Sequence, residues 1–438
     1  MHKNRKKIGF ATTLMVVAFV LSKPAMADHQ NIHSPASAIR LQDLISEALK
    51  NNAALRASDQ AGVVKEATVG PAGALENPEL AFEVRNYPAG GGSESSMRER
   101  EVSLSQKIPF PGKRARIEDT ARKDAEAQRE EARGVRAMII KDMKNAFYEL
   151  FVNYRALDVL TDQQNTLRSI ISTARKQYSL GKIPQADVLN LQLEEATIEG
   201  HRLTIDRKIK STLGEINHLL GRTDHGLYIV GRPEEIKKTP FKFDSTSEAK
   251  IFERATSKNP KVASRRAKVA ASESKVAYSD LNMWPDFDFK VGYTFRDRSY
   301  DPESNNSVSA MVGVSLPLWG GSRQSEEKRR TVAERSEAQA MLNEEQIDLA
   351  HHIHLTYAEL EETSGRLELF ENAALPLSKQ ALSSAQNGYL TGRVEFSILL
   401  GLIQKRSQLE LEYAEGLATY QMKIAELESL TGESLEGK

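Results

Sequence analysis

Two hydrophobic periods alternate along this chain. Between about Lys113 and Leu180, Met143, Phe147, Leu150, Tyr154, Leu157, Leu160, Gln164, Leu167, Ile171, Ala174 and Tyr178 step by threes and fours. That is the stripe of a helix seated in a coiled-coil-like seam. The stretch has no proline and one internal glycine, Gly134, so at 1.5 Å per residue it predicts a helix about 100 Å long. A return helix from near Gln185 carries Val188, Leu191, Ile198, Ile205, Ile209, Ile216 and Leu219. The same pair recurs later, with Ile353, Tyr357, Leu360, Leu367 and Ala374 on the outward helix. Leu402, Leu409, Tyr413, Leu417, Tyr420, Ile424 and Leu427 lie on its return.

Elsewhere the period is two. Phe287, Phe289, Val291, Tyr293 and Phe295 alternate with Asp288, Lys290, Gly292, Thr294 and Arg296, which predicts a strand with one aromatic face and one polar face. Val308 to Leu316 and Leu80 to Arg85 alternate likewise, and Val102 and Leu104 more faintly. Tips rich in turn residues, 88–96 and 299–307, separate the paired strands. An amphipathic sheet usually covers a soluble core. Here the strands reach about ten residues, enough for a tilted membrane crossing, and the helices carry their own seams, so no second layer is left to cover the sheet.

The two halves are one plan written twice. Asn52 matches Asn259, Asn77-Pro78 matches Trp284-Pro285, and Ile108-Pro109 matches Leu316-Pro317. Tyr178-x-x-Gly181 matches Tyr389-x-x-Gly392, and Gly221 matches Gly432. The offset stays between 207 (259 less 52) and 211 (432 less 221). The division that follows is a first repeat over 28–222, a linker or peripheral segment over 223–247 and a second repeat over 248–438. Each repeat holds a helix, two strands and a long helical hairpin. The fold class expected is mainly α with membrane β.

Ahead of the repeats, Lys3, Arg5, Lys6 and Lys7 precede an apolar run from Ile8 to Leu21, then Pro24 and Ala25-Met26-Ala27. Residues 1–27 therefore read as a secretory signal peptide, the run being too short for a spanning anchor. No later stretch reads as a transmembrane helix, so a spanning role falls to the strands. Composition narrows the function. Sixty Lys+Arg balance sixty Asp+Glu, which gives no general attraction for nucleic acid. The chain has no cysteine, which excludes disulfides, thiolate metal sites, a Cys nucleophile and a lipid-modified Cys. No catalytic motif is present, and neither enzyme activity nor a cofactor is expected.

Four strands cannot close a barrel, and an open sheet in lipid leaves backbone groups unpaired at several kcal/mol each. The strands must then pair with other copies of the chain. The signal, the duplicated plan and the two Tyr-x-x-Gly turns resemble the TolC-like outer-membrane factor family over essentially the whole mature chain. Segments 105–114 (SQKIPFPGKR) and 315–323 (SLPLWGGSR) and the turn 178–189 (YSLGKIPQADVL) look most like its cation-efflux branch, typified by CzcC and CusC. The resemblance implies a homotrimer with a twelve-strand outer-membrane barrel facing lipid and a helical tunnel through the periplasm. It also implies a periplasmic adaptor protein and an RND-type inner-membrane pump as partners. The chain would be the exit channel of a tripartite efflux system, with heavy-metal cations as substrates. A drug-efflux or type I secretion channel is the alternative in the same class, and a periplasmic coiled-coil adaptor is the alternative outside it.

In that setting Phe287, Phe289, Val291, Tyr293 and Phe295 would face lipid. Gly181 and Gly392 would form the helix-turn tips that dock the adaptor. In the family an Asp matching Asp187 and a Tyr matching Tyr389 take part in links that hold the tunnel end shut. The arginine that helps in some relatives falls at Val394, with Arg393 adjacent. Two Asp that form an acidic ring in some relatives are replaced here by Ile398 and Gly401. Glu395, or Glu194 and Glu195, could supply that charge, or could be solvated helix-face residues. His351 and His354 share a helix face and could ligate a metal, but they lack a third ligand, and no metal site is assigned.

Overall fold

The computed structural model describes residues 38–85, 99–222, 231–243, 247–296, 303 and 305–434. The expected signal peptide, the whole tip 88–96 and most of the tip 299–307 lie outside them. The first repeat opens with α1 (Leu41–Asn51), α2 (Ala53–Ala67) and the short α3 (Val69–Gly73), followed by β1 (Glu79–Arg85) and β2 (Glu99–Ile108). Its hairpin is α4 (Lys113–Ser179) and α5 (Gln185–Leu219). The second repeat has α6 (Ser247–Lys258), α7 (Pro260–Leu281), β3 (Asp286–Arg296) and β4 (Ser307–Ser315). A π-helical turn, Gly320–Gln324, then leads into α8 (Ser325–Leu369). A second π segment, Phe370–Ala374, joins α8 to α9 (Leu375–Leu390), and α10 (Phe396–Thr431) returns. No described helix is long and apolar enough to cross a membrane.

The duplication is visible atom by atom. Asn52 caps α2 by accepting from Leu55 N, while its Nδ2 donates to Leu219 O at 2.9 Å. Asn259 caps α7 by accepting from Lys261 N and Val262 N, and its Nδ2 donates to Leu430 O at 2.9 Å. In both repeats one side chain satisfies a helix start and the end of the return helix together. The glycines that close those return helices, Gly221 and Gly432, both sit at φ 68°. A Cβ on Gly221 would lie 2.6 Å from Asn51 O, and one on Gly432 2.9 Å from Lys258 O.

The four strands form one antiparallel sheet in chain order, β1-β2-β3-β4. Register keeps like with like: Phe82 pairs Val102, Val102 pairs Tyr293, and Tyr293 pairs Val308. The alternating apolar positions of all four strands therefore fall on one face, while Ala81 and Met311 lie on the other. β1 spans seven described residues rather than the ten expected.

The helical seams follow the predicted stripe. Met143, Phe147 and Leu150 of α4 are buried with Ile209, Leu213 and Ile216 of α5. Ile353, Tyr357 and Leu360 of α8 are buried with Leu417, Tyr420 and Ile424 of α10. The two hairpins are joined along α4 and α10, where Lys144 and Glu428 form a buried ion pair at 2.6 Å. Buried positions of α4 and α8 correspond at an offset of 210, as Leu150 to Leu360 (360 less 150), and beyond the π segment at 211, as Ile171 to Leu382 (382 less 171). The described part of the linker, 231–243, is an extended strap. Its Arg232 O accepts from Ile39 N at 2.8 Å. Ile236 packs against the clusters of both hairpins, and Phe241 and Phe243 pack on Tyr357.

Candidate functional site

Both hairpins reverse by the same turn. Lys182 N donates to Gln177 O at 2.9 Å and Arg393 N to Gly388 O at 2.8 Å, each closing a six-residue loop around a glycine at φ 71°, Gly181 or Gly392. This is the helix-ending motif that needs a left-handed residue. Neither glycine has a neighbour within reach of an added Cβ, so both tips stand in open space.

Between the two tips lies an open cleft of about 1150 Å³. Asp187, Glu194, Tyr389, Arg393 and Glu395 all line it, with Ile183 and Gln404 among their neighbours. Five of the six residues expected at the tunnel end thus share one cleft. Glu195 does not line it. Its carboxylate accepts from Arg168 Nε at 2.8 Å on the first hairpin and is occupied there. Glu194 accepts from Gln404 Nε2 at 3.0 Å and so ties α5 to α10.

The expected Asp187–Tyr389 hydrogen bond is not made within the chain. Tyr389 is folded under its own hairpin, 6 % exposed, with its ring 6.3 Å from that of Phe396. Its hydroxyl is buried without a partner. Burial pushes the phenol above its ordinary value, and the nearby Asp187 carboxylate pushes it further. Tyr178, the matching residue of the first hairpin, is exposed and outside the seam expected for it. The histidines do not converge: His354 Nδ1 lies 2.9 Å from Glu248, and the described residues contain no cluster of three His, Cys, Asp or Glu able to hold a metal.

At the opposite end of the helices is the sheet. Phe289, Val291, Tyr293 and Phe295 are exposed on its apolar face, and Phe287 is half-buried. The other face is knitted by charge: buried Glu101 meets Arg85 at 3.0 Å and Lys290 at 3.1 Å, and Arg296 meets Glu99 at 2.9 Å. Sequence reasoning passed over the tryptophans. Trp284 and Trp319 are both exposed where sheet joins helix, Trp284 stacking on Phe110 at 5.2 Å. Lys113 locks this junction by donating to Trp284 O and pairing with Asp286 at 2.7 Å. A Trp within two residues of a proline at each sheet–helix junction of the second repeat was the available signal, since such rings favour membrane–water boundaries.

Among solved structures, CusC superposes with a TM-score of 0.79 at 14% identity, covering 94% of this chain and 98% of that one. A membrane protein from Pseudomonas aeruginosa gives 0.78 at 16%, covering 91% of each chain. The outer membrane protein VceC from Vibrio cholerae gives 0.73 at 18%, covering 90% of this chain and 97% of that one. At these identities the likeness is one of fold. No curated protein matches the chain. The model of the outer membrane efflux protein family matches twice, over residues 44–222 and 251–433, one match for each repeat. The chain belongs to the outer membrane efflux protein family.

Proposed function

We propose that three copies of this chain close a twelve-strand barrel in the outer membrane over a helical tunnel, forming the exit channel of a tripartite efflux pump for heavy-metal cations. The observation that carries the reading is the sheet. It has four strands, an exposed apolar face, a charged opposite face and two open edges, β1 and β4. Alone it would leave both edges unpaired in lipid, and copies joined edge to edge leave none. The apolar face with Phe289 and Val291 meets lipid, and the tryptophans mark the boundary. The tips at Gly181 and Gly392 receive the adaptor, beyond which stands an RND-type inner-membrane pump. The metal substrate is supported by the resemblance of segments 105–114 and 178–189 to the cation-efflux branch.

The cleft between the tips is the gate. An unsatisfied buried hydroxyl costs about 1–3 kcal/mol, and the Tyr389 phenol is relieved when a change of rotamer lets it donate to Asp187. Arg393, Glu395 and Glu194 set the charge around that link. Three tests apply. The mature protein runs as a trimer in mild detergent and fractionates with outer membrane; a soluble monomer defeats the reading. Asp187→Ala raises single-channel conductance in planar bilayers, and unchanged conductance at normal trimer yield places the gate elsewhere. A deletion strain becomes sensitive across a panel of metals, whereas sensitivity to drugs alone reassigns the substrate.

A further inference from the structure

The end of α10 and the start of α7 meet head to tail, joined where Asn259 Nδ2 donates to Leu430 O. Both α4 and α8 flank this joint, each packing on α7 and on α10. One chain therefore walls it from two sides. At the joint lies an open cleft of about 640 Å³, within the range of about 300–1,000 Å³ for small-molecule sites. Val135, Met138, Pro260, Leu349 and Leu430 give it an apolar lining.

Gly134, the one glycine of α4, also lines the cleft and keeps it open. A Cβ there would stand 3.7 Å from Pro260 Cβ, which is ordinary contact, so helix packing does not require the glycine. A glycine inside a helix costs about 1 kcal/mol against alanine. The matching position of α8, 134 plus 210, holds Glu344.

The mouth is unevenly charged. Four carboxylates line it, Glu131, Glu345, Asp348 and Glu426, against the two ammonium groups of Lys141 and Lys261. That leaves an excess of two negative charges, four less two. Three of the carboxylates are engaged: Glu131 with Lys268 at 2.5 Å, Glu345 with Arg265 at 3.6 Å and Glu426 with Lys423 at 3.0 Å. Asp348 is exposed and has no ion pair or side-chain hydrogen bond among the described residues. The described residues hold no metal-binding group of three here. An apolar lining under a negative mouth favours an apolar molecule that carries a positive charge.

We infer that this cleft binds apolar organic cations, with the Asp348 carboxylate facing the charge. The site belongs to a single chain; only the space it opens into rests on the ring of copies proposed above. The strap covers α10 at Tyr420 and Gln421. At 100° per residue, the centre of Glu426, Ser429 and Leu430 falls about 180° round the helix from those two. With the strap outermost, the cleft faces the bore, in the path of exported molecules.

The probe is tetraphenylphosphonium, measured by equilibrium dialysis against the trimer in lipid nanodiscs. Saturable binding of one molecule per chain is expected. Gly134→Leu fills the cleft and abolishes it, which also cancels the probe held by lipid. Asp348→Asn weakens binding about twofold to fivefold, the range of an exposed charge pair, and Lys261→Ala strengthens it. Tetraphenylborate, an anion of the same shape, shows no saturable binding, and zinc does not displace the cation. Where Gly134→Leu yields no trimer, the two exposed variants carry the test. A conducting trimer without saturable binding, or one that takes the anion equally, overturns the site and leaves the channel standing. Competitive displacement by zinc assigns the mouth to metal ions and overturns it too. Saturable binding to a chain that stays monomeric keeps the site and overturns the ring.

Discussion

The first hairpin is two uninterrupted helices, 67 and 35 residues long, while the second makes the same journey with a break. Its outward arm runs 45 residues as α8, passes through five residues of π-helix and continues as α9. Leu375 N bonds Phe370 O, five residues back, and Pro376 follows. Buried positions explain the break. They stand 210 apart before it and 211 after it, so the second hairpin holds one residue more. In a plain α-helix an extra residue turns everything downstream by about 100°. The π segment absorbs it, and also the N–H that proline lacks. Leu382, Ala385 and Tyr389 thereby stay on the seam. Where regular hydrogen bonding and seam register conflict, the chain keeps the register.

That comparison breaks most severely if an extra residue is placed where no π segment exists. An alanine inserted between Gln163 and Gln164 rotates Leu167, Ile171 and Ala174 out of their buried seam. The two large side chains alone account for about 1.5–3 kcal/mol each, so trimer yield and melting temperature in detergent should fall sharply. Deleting Ala373 together with Pro376→Ala, which turns the second arm into a copy of the first, should leave both near the wild-type values.

A second contrast lies at the bridge between hairpins. Lys144→Ala takes the ion-pair partner from a buried carboxylate, a change that costs about 3–5 kcal/mol. His354→Ala, at the matching position of α8, removes an exposed side chain and should change stability by less than about 0.5 kcal/mol. Equal effects would show that the bridge between the hairpins carries no more than the exposed pair at the matching position of α8.

Much of this was legible in the sequence because period and punctuation are local. The seam residues, the strand faces, both tip glycines and the duplicated asparagines follow from spacing alone. What stayed hidden depends on partners distant along the chain. Glu194 and Glu195 look alike in sequence, yet one reaches Gln404 across the cleft and the other is held by Arg168. Tyr389 and Tyr178 occupy matching turns, yet only Tyr389 is buried. Gly388 admits Val394 over the second turn, where the first hairpin has Gln177: a Cβ on Gly388 would lie 2.4 Å from Val394 Cγ2. The π segment was missed because one extra residue leaves no motif and shows only as a change of offset between buried positions.

The glycines offer a milder contrast. Gly221 and Gly392 share a left-handed backbone, which costs an alanine about 1–2 kcal/mol. Gly221→Ala also drives a Cβ against Asn51 O, whereas Gly392→Ala meets nothing. Gly221→Ala should therefore lower the melting temperature distinctly more than Gly392→Ala, whose cost stops at the backbone.

The smallest effect sharpens the reading of the π segment. Tyr413 of α10 lies beside it, its hydroxyl donating to Glu371 at 2.8 Å and its ring 6.5 Å from that of Phe370. Burial, and then the Glu371 carboxylate, push the phenol up to about 12 from an ordinary value near 10. A group whose folded value is raised contributes stability that is fully present below its unfolded value and lost as pH climbs through the folded one. The Tyr413 contribution is thus constant at neutral pH and disappears between about pH 10 and 12. Tyr413→Phe should cost about 1 kcal/mol at pH 8, below the ~1.5–3 kcal/mol of a hydrogen bond to a buried charged group because Glu371 is exposed. It should also flatten part of the alkaline decline in melting temperature. Tyr420, raised to about 12 by burial and bonded to Thr239 O of the strap, supplies the rest. Hydrogen exchange separates the two tyrosines. Tyr413→Phe should speed exchange at 370–375 and leave the matching stretch of α4 unchanged, whereas Tyr420→Phe should loosen the strap. Equal acceleration in both hairpins would show that the π segment is held by the seam as a whole and not by Tyr413.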